Sequence, residues 1–258
     1  MLSENGADVL PMTRDRASAA AAAGAERVVV AGGDGSIGPA AEAAARAGIP
    51  LAVVPTGTAN DFARALEIPL DPVEACRLAA RGVETRRLEL ARIGSRPFVN
   101  VASAGLAPVA ARKARGMKRA LGPLAYSLGA MRAGLGASPV RCRVRCDGET
   151  VFDGPAWQVS VAVTGAFGGG AAVDADPGDG ELDVVVIEAG SRARLVAHAY
   201  RLRAGRVESP ARAVRSRRCR AAEVDTEGSM GFNVDGEIVD AADARFTVEA
   251  GAFELVTG

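Results

Sequence analysis

Apolar and polar positions fall into two regimes along the chain. In the first third, short β-branched runs alternate with Ala-rich stretches of helical spacing. Val28–Val30, ending in Ala31, reads as a buried parallel strand. The Gly32-Gly33-Asp34-Gly35-Ser36 loop follows it, and then an Ala-rich helix stopping at Gly48. Ile49–Val54 is a second buried strand, ending in Pro55-Thr56-Gly57-Thr58-Ala59-Asn60-Asp61, where another helix begins. Both loops therefore sit at the carboxyl ends of adjacent strands in a βαβα unit. Upstream, Met1–Gly6 resembles the tail of a helix, Ala7–Met12 a strand with Thr13 at its end, and Arg14–Gly24 a helix. Downstream, Asp71-Pro72 gives a helix start, with an N-cap acid and Pro in the first turn, and the helix runs through Cys76 and Leu78 to Gly82.

Beyond Thr85 the pattern changes. Thr85–Ile93 alternates charged and apolar residues, as a half-exposed strand does, and the domain boundary is set here: an α/β unit over 1–86 and a β-rich unit over 87–258. Phe98–Leu106 is a strand and turn of small residues, and Pro108–Gly136 is helical but broken by glycines. From Val140 the chain reads as β. Cys142–Trp157 is a hairpin about Cys146-Asp147-Gly148-Glu149, Trp157–Val163 the next strand, and Val184–Ile187 another. Ser191–Gly205 is a helix that contains His198, the one histidine, read as structural or surface rather than catalytic. Arg212, Arg215, Arg217, Arg218 and Arg220 mark a basic strand, and Phe246–Val256 gives one or two final strands with a route back to the first domain.

The two loops carry the chemistry. Loops at the carboxyl ends of strands are where open α/β sheets bind ligands. Glycines admit a phosphate to the backbone, and a following helix start supplies N–H groups. Acids inside such a cradle would repel a phosphate unless they hold Mg²⁺, directly or through water. That is the role expected of Asp34 and Asp61.

At these residues the chain resembles the diacylglycerol kinase catalytic domain of the bacterial lipid kinases. GGDGS alone is shared with NAD kinases, whereas PTGTANDFAR discriminates in favour of the lipid kinases. The resemblance implies an α/β nucleotide-binding domain followed by a mainly antiparallel β-sandwich, with the active site in the cleft between them. It implies ATP as phosphoryl donor, Mg²⁺ and a lipid hydroxyl as acceptor. Nucleotide contacts fall on Thr13, Gly32, Gly33, Asp34, Gly35, Ser36, Gly57, Thr58, Asn60 and Asp61. Thr13 reads equally as a helix-capping threonine. Phe232-Asn233-Val234-Asp235-Gly236-Glu237 matches the family's strand–turn motif, which makes Glu237 the acid/base supported by Asp235. The same three letters at Asp147-Gly148-Glu149 read as a plain hairpin turn, so the triplet alone decides nothing.

Glu89 stands where the family has an aspartate that joins the two motif aspartates around water-bound Mg²⁺; read alone, it is a solvent-facing strand acid. The glycine-rich acidic stretch Gly168–Asp183 resembles the family's structural Mg²⁺ loop, which transfers ligand roles to Asp176, Asp179 and the carbonyl of Glu181. Asn100 and Gly105 fall on family positions, while Thr164-Gly165 replaces the usual Asn-Gly. The family's opening strand–loop–helix, roughly 25 residues by ordinary element lengths, has no counterpart before Ala7. Two alternatives stay open: the shared GGDG and two-domain plan suit a NAD kinase-like phosphotransferase, and the missing unit with the Glu89 and Thr164 departures suits a degenerate nucleotide-binding homologue without turnover.

Composition narrows this picture only slightly. The 258 residues carry 31 basic and 31 acidic side chains, so overall charge points to no nucleic-acid partner. Cys76, Cys142, Cys146 and Cys219 match no zinc spacing and read as buried thiols; Cys142 and Cys146 share one strand face. No transmembrane run is visible, so a cytoplasmic enzyme would reach its lipid at the inner membrane surface. Arg112, Lys113, Arg115, Lys118 and Arg119 suit either a solvated helix face or anionic headgroups. A homodimer is left open.

Overall fold

The structure is a computed structural model that describes residues 1–11, 24–105, 138–164, 166–167, 171–172, 176–191 and 214–258. Thr13, the segments 106–137 and 192–213, the glycines 168–170 and Asp174 lie outside the described residues. The helices expected at 14–24, 108–136 and 191–205 are therefore not described, and neither are His198 and the Arg112–Arg119 cluster.

The α/β unit forms where the pattern placed it. Strand β1 (Val28–Gly32) runs parallel to β2 (Leu51–Pro55), with Val28 opposite Leu51. Between them, α1 (Asp34–Ala47) starts after the extended Gly33 and ends at Gly48 in the left-handed region. Helix α2 (Asp61–Ala65) is a short turn and a half. Helix α3 (Pro72–Arg81) is capped by Asp71, whose Oδ1 accepts the N–H groups of Val73 and Glu74 at 2.9 and 3.0 Å. Residues 7–11, expected in a strand, are irregular; no described strand offers them a ladder partner.

The β part comprises β3 (Thr85–Ile93), β4 (Arg96–Phe98), β5 (Val101–Gly105), β6 (Val140–Cys146) and β7 (Glu149–Ala162). A two-strand ladder, β8 (Ala166–Phe167) with β9 (Ala171–Ala172), comes next, then β10 (Leu182–Glu188), β11 (Val214–Cys219), β12 (Ala221–Val234) and β13 (Glu237–Val256). The strands expected separately at 142–157 and 157–163 merge, because β7 continues through Gly154-Pro155 while paired to β6. The tail forms one long strand rather than two, with a register shift between Glu249 and Phe253.

Both β5 and β6 pair with β7 and with β12, so these four strands close a ring. Its inner positions carry Ala102, Ala104, Val144, Val159, Val161, Phe232 and Val234, all buried. The two long strands curve to serve both layers of the sandwich. Phe246 joins this core edge-on to Phe98 and Phe232, with ring centroids 6.3 and 5.6 Å away. Cys142 and Cys146 face inward beside Val144, and all four cysteines are free and buried.

Strand β13 joins the two parts. It pairs with β12, then with β3, and finally runs parallel to β2 with Leu255 opposite Leu51. Helix α1 packs closely against β4: a Cβ on Gly38 would lie 2.8 Å from the Pro97 carbonyl oxygen.

Phe246→Ala removes the ring at the centre of this aromatic contact. It should cost about 3–5 kcal/mol in urea unfolding, because the closed ring of strands limits collapse into the cavity.

Candidate active site

The two glycine loops meet through bare backbone. A Cβ on Gly57 would lie 2.6 Å from Gly33 Cα, so the pair can approach only without side chains. Thr56 N–H donates to the Gly32 carbonyl at 2.9 Å. Asn60, in the left-handed region at φ 51°, closes its own loop: its Oδ1 accepts the Gly57 N–H at 2.9 Å and its Nδ2 donates to the Gly57 carbonyl at 3.1 Å. Thr58 is exposed at the loop tip. Helix α1 has no side-chain N-cap bond; in its first turn the Ser36 N–H donates to the Gly33 carbonyl at 2.9 Å, and no side chain caps the Asp34 and Gly35 N–H groups.

Asp34, the first residue of α1, reaches across to the second loop, where its Oδ1 accepts the Phe62 N–H at 3.0 Å. The same oxygen accepts Asn100 Nδ2 at 3.1 Å, and Asn100 Oδ1 in turn accepts the Thr164 hydroxyl at 2.7 Å. Thr164, noted in the sequence only as a departure, thus orients Asn100. Burial pushes the Asp61 carboxyl up to about 6; the neighbouring Asp34 adds to the rise and Arg64 opposes it. Two carboxyls in this relation suit a divalent cation.

Asp235 is buried and gathers three backbone donors from one segment. Its Oδ2 accepts the Val99 N–H at 2.9 Å, and its Oδ1 accepts those of Asn100 and Val101 at 3.1 and 3.0 Å. Burial outweighs these bonds and pushes the carboxyl up to about 7, with a smaller contribution from Asp34. The Asp235-Gly236 turn has positive φ at both residues, 45° and 91°, which joins Val234 to Glu237 as a two-residue hairpin. It delivers Glu237 onto the GGDG loop. A Cβ on Gly35 would sit 3.2 Å from Glu237 Oε1 and 3.1 Å from the Asp235 carbonyl oxygen. Arg96 Nη2 donates to Glu237 Oε2.

Asp34, Asn60, Asp61, Asp235 and Glu237 thus come together with the glycine loops. Glu89 is held elsewhere. It is 1% exposed, so a solvent-facing reading is corrected. Its Oε2 accepts the Gly180 N–H at 2.6 Å, and Oε1 is buried without a hydrogen-bond partner. Burial, offset by the Gly180 bond, pushes its carboxyl up to about 7, with Asp179, Asp176 and Asp183 adding to the rise. Glu89 therefore belongs to the 176–183 loop. There Asp179 and Glu181 pair with Arg218, and Asp176 with Arg86 at 3.2 Å. Among the described residues no three acidic, His or Cys side chains converge as a metal centre. The orphaned Glu89 oxygen and the oxygen-only donors nonetheless suit a hard cation such as Mg²⁺.

Arg96 escaped the sequence reading. The available signal was Gly94-Ser95, a two-residue turn that folds β4 back on β3 and sets Arg96 opposite Ile93, shortly before Asn100.

Comparison with known proteins agrees with this geometry. Residues 8–93 match the diacylglycerol kinase catalytic domain, and residues 100–257 match the YegS C-terminal NAD kinase beta sandwich-like domain. The chain belongs to the YegS-like and diacylglycerol kinase family of lipid kinases. A protein of Pseudomonas fluorescens named "Probable lipid kinase YegS-like" is 32% identical over 246 residues, covering 92% of this chain and 79% of that one. The Staphylococcus saprophyticus protein named "Diacylglycerol kinase" is 29% identical over 215 residues, covering 81% and 70%. The solved structure of a "putative diacylglycerol kinase" from Bacillus anthracis shares the fold, with a TM-score of 0.77 at 21% identity over 96% of this chain and 84% of its own. The family fold is an α/β domain with a β-sandwich domain, as the described strands form it.

Asp235→Asn tests the three-donor carboxylate. A buried acid whose pKa is raised contributes stability that is present below its unfolded value of 3.8 and lost as pH rises through about 7. Wild-type unfolding midpoints should therefore fall between pH 4 and pH 8. Asp235→Asn, which turns an amide N–H toward a backbone donor, should cost about 1–3 kcal/mol at the acidic end. The gap should narrow toward pH 8; a gap that widens would mean that the fold favours the anion.

Proposed function

We propose that the protein transfers the γ-phosphoryl group of ATP to the hydroxyl of a lipid, diacylglycerol or a related one. The observation that carries this reading is the contact of Glu237 with Gly35, which sets a candidate general base against the phosphate cradle. Family membership supports phosphoryl transfer to a lipid; the choice of ATP and of the acceptor is our own reading.

In this mechanism the backbone of Gly32–Ser36 and of the Gly57–Asn60 loop cradles the nucleotide phosphates, and the open first turn of α1 adds N–H donors. Mg²⁺, when bound, supplies positive charge against the phosphoryl oxygens. Asp34 and Asp61 would hold it directly or through water. Asn100 and Thr164 keep the Asp34 carboxylate aimed between the loops. Glu237 accepts the proton of the acceptor hydroxyl as the new O–P bond forms, and the bond from γ-phosphorus to the bridging oxygen breaks to release ADP. Asp235 positions Glu237 through the hairpin turn. A second cation would be held at the 176–183 loop by the unpartnered Glu89 oxygen with Asp176, Asp179 and the Glu181 carbonyl, and would stabilise that loop. No described helix is long and apolar enough to cross a membrane. The acceptor would then be reached from the cytoplasmic membrane surface.

Glu237→Gln and Asp34→Asn should each lower kcat by about 10²–10⁴-fold in a labelled-ATP assay with mixed-micelle lipids, while both variants stay folded. Unchanged turnover in both would sink the assignment. Millimolar Mg²⁺ should raise the thermal midpoint of the wild type at pH 8, and Glu89→Gln should lose most of that shift. Retention of the full shift would place the stabilising ion elsewhere.

A further inference from the structure

The candidate base is not free. Glu237 lies against Gly35 with its other carboxylate oxygen taken by Arg96. This is a surface pair, with side chains 29% and 49% exposed, so its net contribution to stability is small. The guanidinium occupies the carboxylate oxygen that points away from Gly35, Oε2. A cation at this point is also unusual for its surroundings. Asp34, Asp61, Asp235 and Glu237 crowd the loops; among the described residues Arg96 bonds Glu237 and Arg64 acts on Asp61. Arg64 is committed locally: its Nε donates to the Ala59 carbonyl at 3.1 Å, and its charge acts on Asp61.

Arg96 is differently placed. It sits at the start of β4, which packs on α1 through Gly38, and its bonded partner lies over Gly35 in the first turn of α1. A phosphate seated on that open turn would adjoin the Glu237 carboxylate and hence its guanidinium. A phosphate is a stronger, bidentate partner for guanidinium than a half-exposed carboxylate.

Resting on the lipid kinase reading above, we infer that Arg96 is the terminal-phosphate ligand of the donor nucleotide and that it locks Glu237 until the donor binds. With the site empty, Arg96 neutralises Glu237. When a nucleoside triphosphate occupies the loops, the guanidinium turns from Glu237 to the γ-phosphoryl oxygens. Glu237 is then free to take the proton of the acceptor O–H as that oxygen bonds to γ-phosphorus and ADP departs with the bridging oxygen. The charge growing on the transferred group meets a guanidinium already in contact. The consequence is an order: the base becomes competent only with the donor in place. A nucleoside diphosphate, lacking the terminal group, leaves the pair closed.

The test is equilibrium binding of ATP and of ADP, by titration calorimetry without acceptor, to the wild type, Arg96→Ala and Arg96→Lys. The wild type should bind ATP about 10–100-fold more tightly than ADP, in line with one charge-assisted phosphate contact. Arg96→Ala should bring that ratio near one with ADP affinity within about twofold of wild type, and Arg96→Lys should keep part of it. In turnover, guanidinium ion added at tens of millimolar should restore kcat to Arg96→Ala but not to Arg96→Lys. An ATP-to-ADP ratio in Arg96→Ala equal to that of the wild type overturns the inference and leaves the kinase reading standing. Failure of the wild type to bind either nucleotide overturns both. If Arg96→Ala does not fold, the ratio in Arg96→Lys decides: a ratio equal to wild type, with no rise in the ATP KM, counts against the inference.

Discussion

One buried carboxylate holds the site together. Asp235 sits at the turn between β12 and β13 and accepts the N–H groups of three consecutive residues, Val99, Asn100 and Val101. Each bond to an ionised group is worth about 1.5–3 kcal/mol, yet burial still raises its pKa to about 7. Such a group persists only where the surrounding structure over-determines it. What it secures is registration. The turn that carries Glu237 is fixed against the segment that carries Asn100, and Asn100 is fixed against Asp34. Within the short run Arg96 to Val101, four residues bond Asp34, Asp235 and Glu237.

The fold supplies the frame for that contact. Strand β13 leaves the Asp235-Gly236 turn, completes the sandwich, and ends beside β2 of the α/β unit. The Asp235-Gly236 turn and the two glycine loops are thus tied by one continuous strand and by the packing of α1 on β4. On the other side of the site, Gly33 against Gly57 keeps the two loops in backbone contact.

The elements from β1 to α3 were readable because each has a local cause. Val28–Val30 and Leu51–Val54 are β-branched or aliphatic runs bounded by glycine and proline. Asp71-Pro72 caps α3 with its own side chain. The GGDGS and PTGTANDFAR loops announce themselves through their glycines, and the family follows from them. The errors have the same logic in reverse. Residues 7–11 have strand-like letters but no described partner strand, and a strand without a partner is only an extended run. Glu89 looks exposed in an alternating pattern, and is buried because the distant Gly180 loop folds over it.

The two Asp-Gly-Glu turns show where the sequence stops. At Asp147-Gly148 and at Asp235-Gly236 both central residues have positive φ, and each turn is a two-residue hairpin. Asp147 accepts N–H groups from Arg220 and Ala221, as Asp235 does from 99–101; Glu149 pairs with Arg217, as Glu237 does with Arg96. The sequence by itself determined the turns, since Asp-Gly favours positive φ wherever it stands. The two glycine loops and the family are legible in the letters as well. Only the tertiary structure decided which glutamate faces Gly35, that Arg96 is its partner, and that Glu89 belongs to another loop. Those pairings join residues 91 to 202 positions apart, through sheet register and helix packing. No local periodicity encodes such contacts.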